Sequence, residues 1–216
     1  MRMARPLIVA MGGFPDGPLF EYVLSLARGR RVLVDGTASP QFDGQLELPG
    51  ELTELTFYPW PPDDLREVAL SQDVIFVRGG NTANMLAVWR VHGFDAVLRE
   101  AWESGVVLAG WSAGAICWFD ACVTDSFGPG LAGLRDGLGF LRGSACPHYD
   151  GEELRRPVYS QLVSGDGFPA GIAIDDRAAA VFAGTELREV VSTQEGATVY
   201  RVSADSEERL AARLLV

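Results

Sequence analysis

Short uninterrupted apolar runs alternate along the chain with stretches in which apolar residues recur at helical spacing. LIVAM, VIFV and VVLA show no in–out alternation, which predicts strands covered on both faces, as in a parallel sheet. PLIVAMGG predicts a first strand and RRVLVDGT a second. Between them, PLFEYVLSLARG places Leu19, Tyr22, Val23 and Leu26 on one helical face. LTELTFYPW predicts a third strand, stopped by Pro59, Pro61 and Pro62. DDLREVALSQ follows as a helix with acids in its first turn. DVIFVRGG predicts a fourth strand, and NTANMLAVWRVHG a helix that Asn81 or Thr82 can cap. FDAVLREAWESG reads as a further helix, GVVLAGWS as a fifth strand and AGAICWFDACV as the helix after it.

The second half has a different texture. From Ser126 to Glu153 the chain is rich in glycine and predicts mostly loop. AGIAIDDRAAAVFAG and ATVYRVSA read as late strands, antiparallel and at a sheet edge. Without a linker or repeat, the expectation is one α/β domain over residues 1–216, a three-layer sandwich around a mostly parallel sheet. In such open sheets the site lies at the C-terminal ends of strands. That singles out Gly12-Gly13, Gly79-Gly80-Asn81 and Ser112.

Composition narrows the function. No apolar stretch approaches the roughly 20 residues that span a bilayer, and the opening apolar run breaks at Gly12-Gly13 rather than at a cleavage site. The expectation is a cytoplasmic protein with no membrane partner, monomer or homodimer. A net charge of −11 repels phosphate backbones, so nucleic acid is not an expected partner. Cys117, Cys122 and Cys146 form no CxxC and are expected to be small buried hydrophobes. All 18 basic residues are arginines, which excludes a P-loop lysine, a Ser-Lys dyad and a Schiff-base lysine within this sequence. The only histidines are His92 and His148, too few for a His-rich metal site.

Gly110-Trp111-Ser112-Ala113-Gly114 matches G-x-S-x-G, the nucleophile elbow. A sharp strand-to-helix turn exposes the serine hydroxyl, and the backbone doubles back so closely that only small residues fit two positions either side. The alternative is a turn built of small residues with no chemistry. If the serine reacts, the Ala113 N–H and the Gly80 N–H are candidate oxyanion donors. The serine also needs a base. His92 sits near the end of a predicted helix, whereas His148 lies in the loop SACPHYDGEE and is the better candidate. For the acid that orients the imidazole, Asp125, Asp150, Asp175 and Asp176 are available, with Asp150 close to His148 in sequence.

The sequence GGNT, then GWSAGA, then PH in a later loop, resembles the peptidase E family of serine peptidases, related to cyanophycinases. The resemblance covers roughly residues 70 to 185. It implies a flavodoxin-like fold similar to class I glutamine amidotransferases, with serine in place of cysteine. It implies Ser112 as nucleophile, His148 as base, and the Gly80 and Ala113 amides as oxyanion hole. The family's glutamate after the histidine loop matches Asp176, with Asp125 as the alternative acid. Aspartate is one methylene shorter, so a triad with it needs a closer backbone or a bridging water. In the dipeptidase branch an arginine after the histidine loop reads an N-terminal aspartate. Arg155 in LRRPVY is the match, although Pro157 departs from that pattern. Asn81 is expected beside the substrate. The implied activity is a serine exopeptidase acting on small peptides, Asp-X dipeptides among the candidates, with no cofactor and no metal.

Overall fold

The computed structural model describes residues 5–39, 48–165 and 167–215. Its first half runs β1 (Leu7–Met11), α1 (Gly17–Leu26), β2 (Arg31–Asp35), β3 (Glu51–Leu55), α2 (Leu65–Leu70), β4 (Val74–Val77), α3 (Thr82–His92), α4 (Phe94–Glu103), β5 (Val107–Trp111) and α5 (Ala113–Ile116). The second half runs β6 (Phe119–Thr124), β7 (Ala132–Leu134), β8 (Leu141–Cys146), α6 (Arg155–Ser164), β9 (Gly171–Ile174), β10 (Ala178–Ala183), β11 (Glu186–Ser192), β12 (Val199–Val202), β13 (Glu207–Arg209) and β14 (Arg213–Leu214).

The larger sheet has the order β14-β11-β10-β1-β5-β4-β2-β3, and the strands from β1 to β3 in that order are mutually parallel. Successive side chains of a strand point to opposite faces. Val9 and Met11 accordingly meet Leu19, Phe20 and Val23 of α1 on one face. Ile8 and Ala10 meet the other core, where Trp89, Phe94 and Leu98 of α3 and α4 pack. This is an α/β sandwich, as expected from the alternation, and flavodoxin-like, as the family resemblance implies.

Three sequence expectations need correction. The helix predicted over AGAICWFDACV ends after a single turn, and Phe119 begins β6. There Ala121 and Val123 face α6 while Cys122 faces the opposite core, a strand's period of two, and β8 supplies a parallel partner. The glycine-rich stretch is not one long loop: it contains β7 and β8. Together with β6, β9, β12 and β13 these form a second, six-stranded sheet. The late strands are not an edge pair either. AGIAIDDRAAAVFAG divides into β9, inside the second sheet, and β10, which pairs antiparallel with β1 inside the first. The residues between them, Asp175, Asp176 and Arg177, therefore lie where the chain passes from one sheet to the other.

Candidate active site

Ser112 follows β5 directly and has φ 51° and ψ −117°. Left-handed φ is costly for a residue with a Cβ and persists only where the surroundings impose it. Here the imposition is close packing. A Cβ on Gly110 would stand 2.4 Å from the Gly114 carbonyl oxygen, and one on Gly114 would stand 2.2 Å from that of Val77. The elbow predicted from GWSAG is thus a tight crossing of β5, α5 and the end of β4. The Ser112 N–H donates to the Met11 carbonyl at 3.1 Å, tying the elbow to the end of β1.

Among the described residues only three non-glycines have positive φ: Ser112, His148 (φ 50°) and Arg177 (φ 60°). His148 is held in that conformation by the strands beside it. The Tyr149 N–H donates to the Ile174 carbonyl at 3.1 Å, and the Asp150 carboxylate accepts the Asp176 N–H at 2.7 Å. The His148 loop and the Asp175–Arg177 crossover are therefore stapled side by side. From this position Nδ1 of His148 donates to Oδ1 of Asp176 at 2.8 Å. With Nδ1 as the donor, Nε2 is the ring nitrogen left to accept a proton. The same hydrogen bond holds the Asp176 carboxyl below the usual carboxylate range, against the opposing effect of burial.

Asp176 reaches His148 without a bridging water because two glycines leave room. A Cβ on Gly13 would lie 2.1 Å from Asp176 Oδ1, and one on Gly151 would lie 2.3 Å from Oδ2. The shorter side chain is compensated by backbone approach from both sides. Neighbouring Asp175 is buried, accepts the Thr198 N–H at 3.0 Å, and is pushed up to about 6, chiefly by burial.

Ser112, His148 and Gly80 border two cavities. One, about 280 Å³, is completed by Asn81, Asp125, Glu152 and Arg155 and is polar. The other, about 310 Å³, is walled by Phe14, Ser39, Arg78, Gly79 and Trp111. Gly80 has φ 139°, and a Cβ there would lie 2.3 Å from the Ala38 carbonyl oxygen, so this turn requires glycine. Asn81 caps α3: its Oδ1 accepts from the Asn84 N–H at 2.8 Å and its Nδ2 donates to the Ser126 carbonyl at 3.0 Å. Arg155 is buried, with Nε donating to Glu152 at 2.7 Å and a terminal nitrogen donating to the Val123 carbonyl at 3.2 Å. Asp125 stands in the polar cavity, while Asp176 makes the bond to the imidazole. His92 lies elsewhere, its ring 5.1 Å from that of Phe57. The three cysteines are free and buried, and burial raises the Cys122 thiol to about 12.

Sequence reasoning weighed Asp150 only as an acid for the imidazole, not as the acceptor of the Asp176 N–H, and missed Gly151 and the Phe14–Trp111 wall. Gly12-Gly13 at a strand end was the available signal for the last of these, because Phe14 follows it.

Residues 40–190 match the model of peptidase family S51. The chain belongs to that family. It is 43% identical to the uncharacterized peptidase YgaJ of Bacillus subtilis (strain 168), over 93% of this chain and 94% of that protein. The fold is similar to that of a peptidase from an acI-B1 Actinobacterium, with a TM-score of 0.68 at 20% identity, covering 97% of this chain and 95% of that one. It is also similar to a Listeria monocytogenes EGD-e protein assigned to peptidase E, with a TM-score of 0.64 at 18% identity, covering 93% and 100%. This S51 chain is a serine-type peptidase, and peptides are its substrate class. Among the described residues no helix is long and apolar enough to cross a membrane.

Proposed function

We propose that this S51 peptidase is an exopeptidase of short peptides, working through Ser112, His148 and Asp176. Ser112 Oγ attacks the scissile carbonyl while His148 Nε2 takes its proton. The tetrahedral oxyanion lies between the Gly80 and Ala113 N–H groups. Ala113 opens α5, and the first N–H groups of a helix have no acceptor within it. One such donor is typically worth about 3 kcal/mol in the transition state. His148 then protonates the leaving amine, and water resolves the acyl-enzyme by the reverse proton route. Asp176 fixes the imidazole tautomer and stabilises the imidazolium.

The observation that carries this reading is the 2.8 Å His148–Asp176 bond beside a serine held in an elbow and bordering the same cavities. Asp176 is favoured over Asp125 as the acid for that reason. Arg155 borders the polar cavity and would read an acidic N-terminal side chain there, sharing its guanidinium with Glu152. Asn81 contributes a wall of that cavity, its amide oriented by the bonds to Asn84 and Ser126.

The test is dipeptide turnover by purified variants, with Asp-X substrates included. Ser112→Ala and His148→Ala should be inactive and His92→Ala near normal. Retained turnover in Ser112→Ala would end the proposal.

A further inference from the structure

The two cavities that meet at Ser112 differ in chemistry, and the difference orients the substrate. This inference rests on the serine exopeptidase reading above.

The polar cavity contains two carboxylates, Asp125 and Glu152, against one guanidinium, Arg155. In an N-terminal residue the ammonium is one bond from the carbon that bears the scissile carbonyl. Whichever cavity accepts that residue must accept its ammonium. A surplus of carboxylate suits it, and an apolar wall does not.

The opposite cavity has such a wall. The Phe14 ring meets Trp111 edge-on at 5.2 Å, and Trp111 leans on Phe76 at 5.5 Å. Gly79 is what admits the indole, because a Cβ there would lie 2.7 Å from Trp111 Nε1. Phe14 is 55% exposed beside the nucleophile, an apolar surface turned toward the cavity rather than into a core. The charged group in this cavity, Arg78, is bridged to Glu54 at 2.8 Å and lies near the buried Asp35 carboxylate. Arg78 is thus already paired with a carboxylate, and what the cavity offers a side chain is chiefly the apolar surface of Phe14 and Trp111. A volume of about 310 Å³ is ample for one large side chain.

We propose that the Phe14–Trp111 cavity is the subsite of the leaving residue and takes a large, uncharged apolar or aromatic side chain. The polar cavity then holds the N-terminal residue by its ammonium. The enzyme selects at the second position of a short peptide by hydrophobic contact.

Binding to Ser112→Ala protein tests this without any turnover. Titration calorimetry with Ala-Phe, Ala-Gly and Phe-Gly is the measurement. Ala-Phe should bind about tenfold tighter than Ala-Gly, the gain expected from burying part of an aromatic side chain. Adding Phe14→Ala should remove most of that advantage. Equal affinity for Ala-Phe and Ala-Gly would overturn the proposal. So would a gain that appears with Phe-Gly and not with Ala-Phe, which would make this cavity the N-terminal subsite. Chromatography of the same mixtures checks the underlying reading separately: hydrolysis by Ser112→Ala protein would sink the serine mechanism, whatever the binding ratios.

Discussion

His148 Nδ1 stands 2.8 Å from Asp176 Oδ1, joining a loop of one sheet's rim to the crossover between the two sheets. Removing the charge while keeping the shape isolates its role. Asp176→Asn should lower kcat by about a thousandfold or more, because the imidazole is then held in the wrong tautomer. Asp125→Asn should cost far less, about tenfold at most on the scale of lost substrate contacts. Steady-state kinetics of the two variants on one dipeptide decides between the acids.

Asp150 acts one step further back. Its carboxylate accepts the Asp176 N–H at 2.7 Å and so sets the backbone from which Asp176 reaches the histidine. Asp150→Ala should reduce kcat by about tenfold, with KM little altered, because the loss is of alignment rather than of binding. Asp150→Asn keeps an acceptor oxygen and should recover most of the loss. A kcat for Asp150→Asn as low as that of Asp150→Ala would mean that charge, not the hydrogen bond, matters.

The elbow has a steric requirement that stability measurements can read. A Cβ at position 114 would sit 2.2 Å from the Val77 carbonyl oxygen, and backbone atoms cannot yield cheaply. Gly114→Ala should lower unfolding stability by about 2–3 kcal/mol through overpacking. Chemical denaturation against the parent protein gives the value. Gly130→Ala, at a position where an added Cβ meets nothing within 4 Å, is the control and should be close to neutral.

Asp175 links stability to pH. Burial raises its carboxyl from 3.8 to about 6. Between those values the folded protein holds a proton that the unfolded chain has released, so stability falls as pH rises through that window and levels beyond it. Asp175→Asn should remove its share of that slope, on the order of 2 kcal/mol between pH 4 and 6. Asp35, also raised to about 6 by burial, has the same sign and leaves a residual slope in the variant. The lowered Asp176 acts in a separate window: its stabilisation is present above the ordinary carboxylate value and fades in more acidic solution. Urea midpoints from pH 4 to 7 for parent and variant check the difference.

The parallel half of the fold was legible because its signal is local. Uninterrupted apolar strands and amphipathic helices each declare themselves within about ten residues. Ser112, Gly80 and His148 could be singled out as candidates for the same reason, as short motifs at strand ends or in a loop. The second sheet was not. Phe119–Thr124 follows one helical turn and becomes a strand only because Leu141–Cys146 lies alongside it, a partnership no local window contains. Choosing among the aspartates also needed distance, since the crossover from β9 to β10 places Asp176 beside His148 across 28 positions of sequence. The glycines at 13 and 151 that make an aspartate long enough came from two further segments.

The central claim is that Ser112 is a nucleophile activated by His148. Reaction with a fluorophosphonate, followed by intact mass and peptide mapping, tests it most directly. One phosphonyl group should appear on Ser112, none in Ser112→Ala, and the rate should fall by about a hundredfold or more in His148→Ala, the scale of a lost general base. An unmodified Ser112, or labelling at an unchanged rate without His148, would contradict the account.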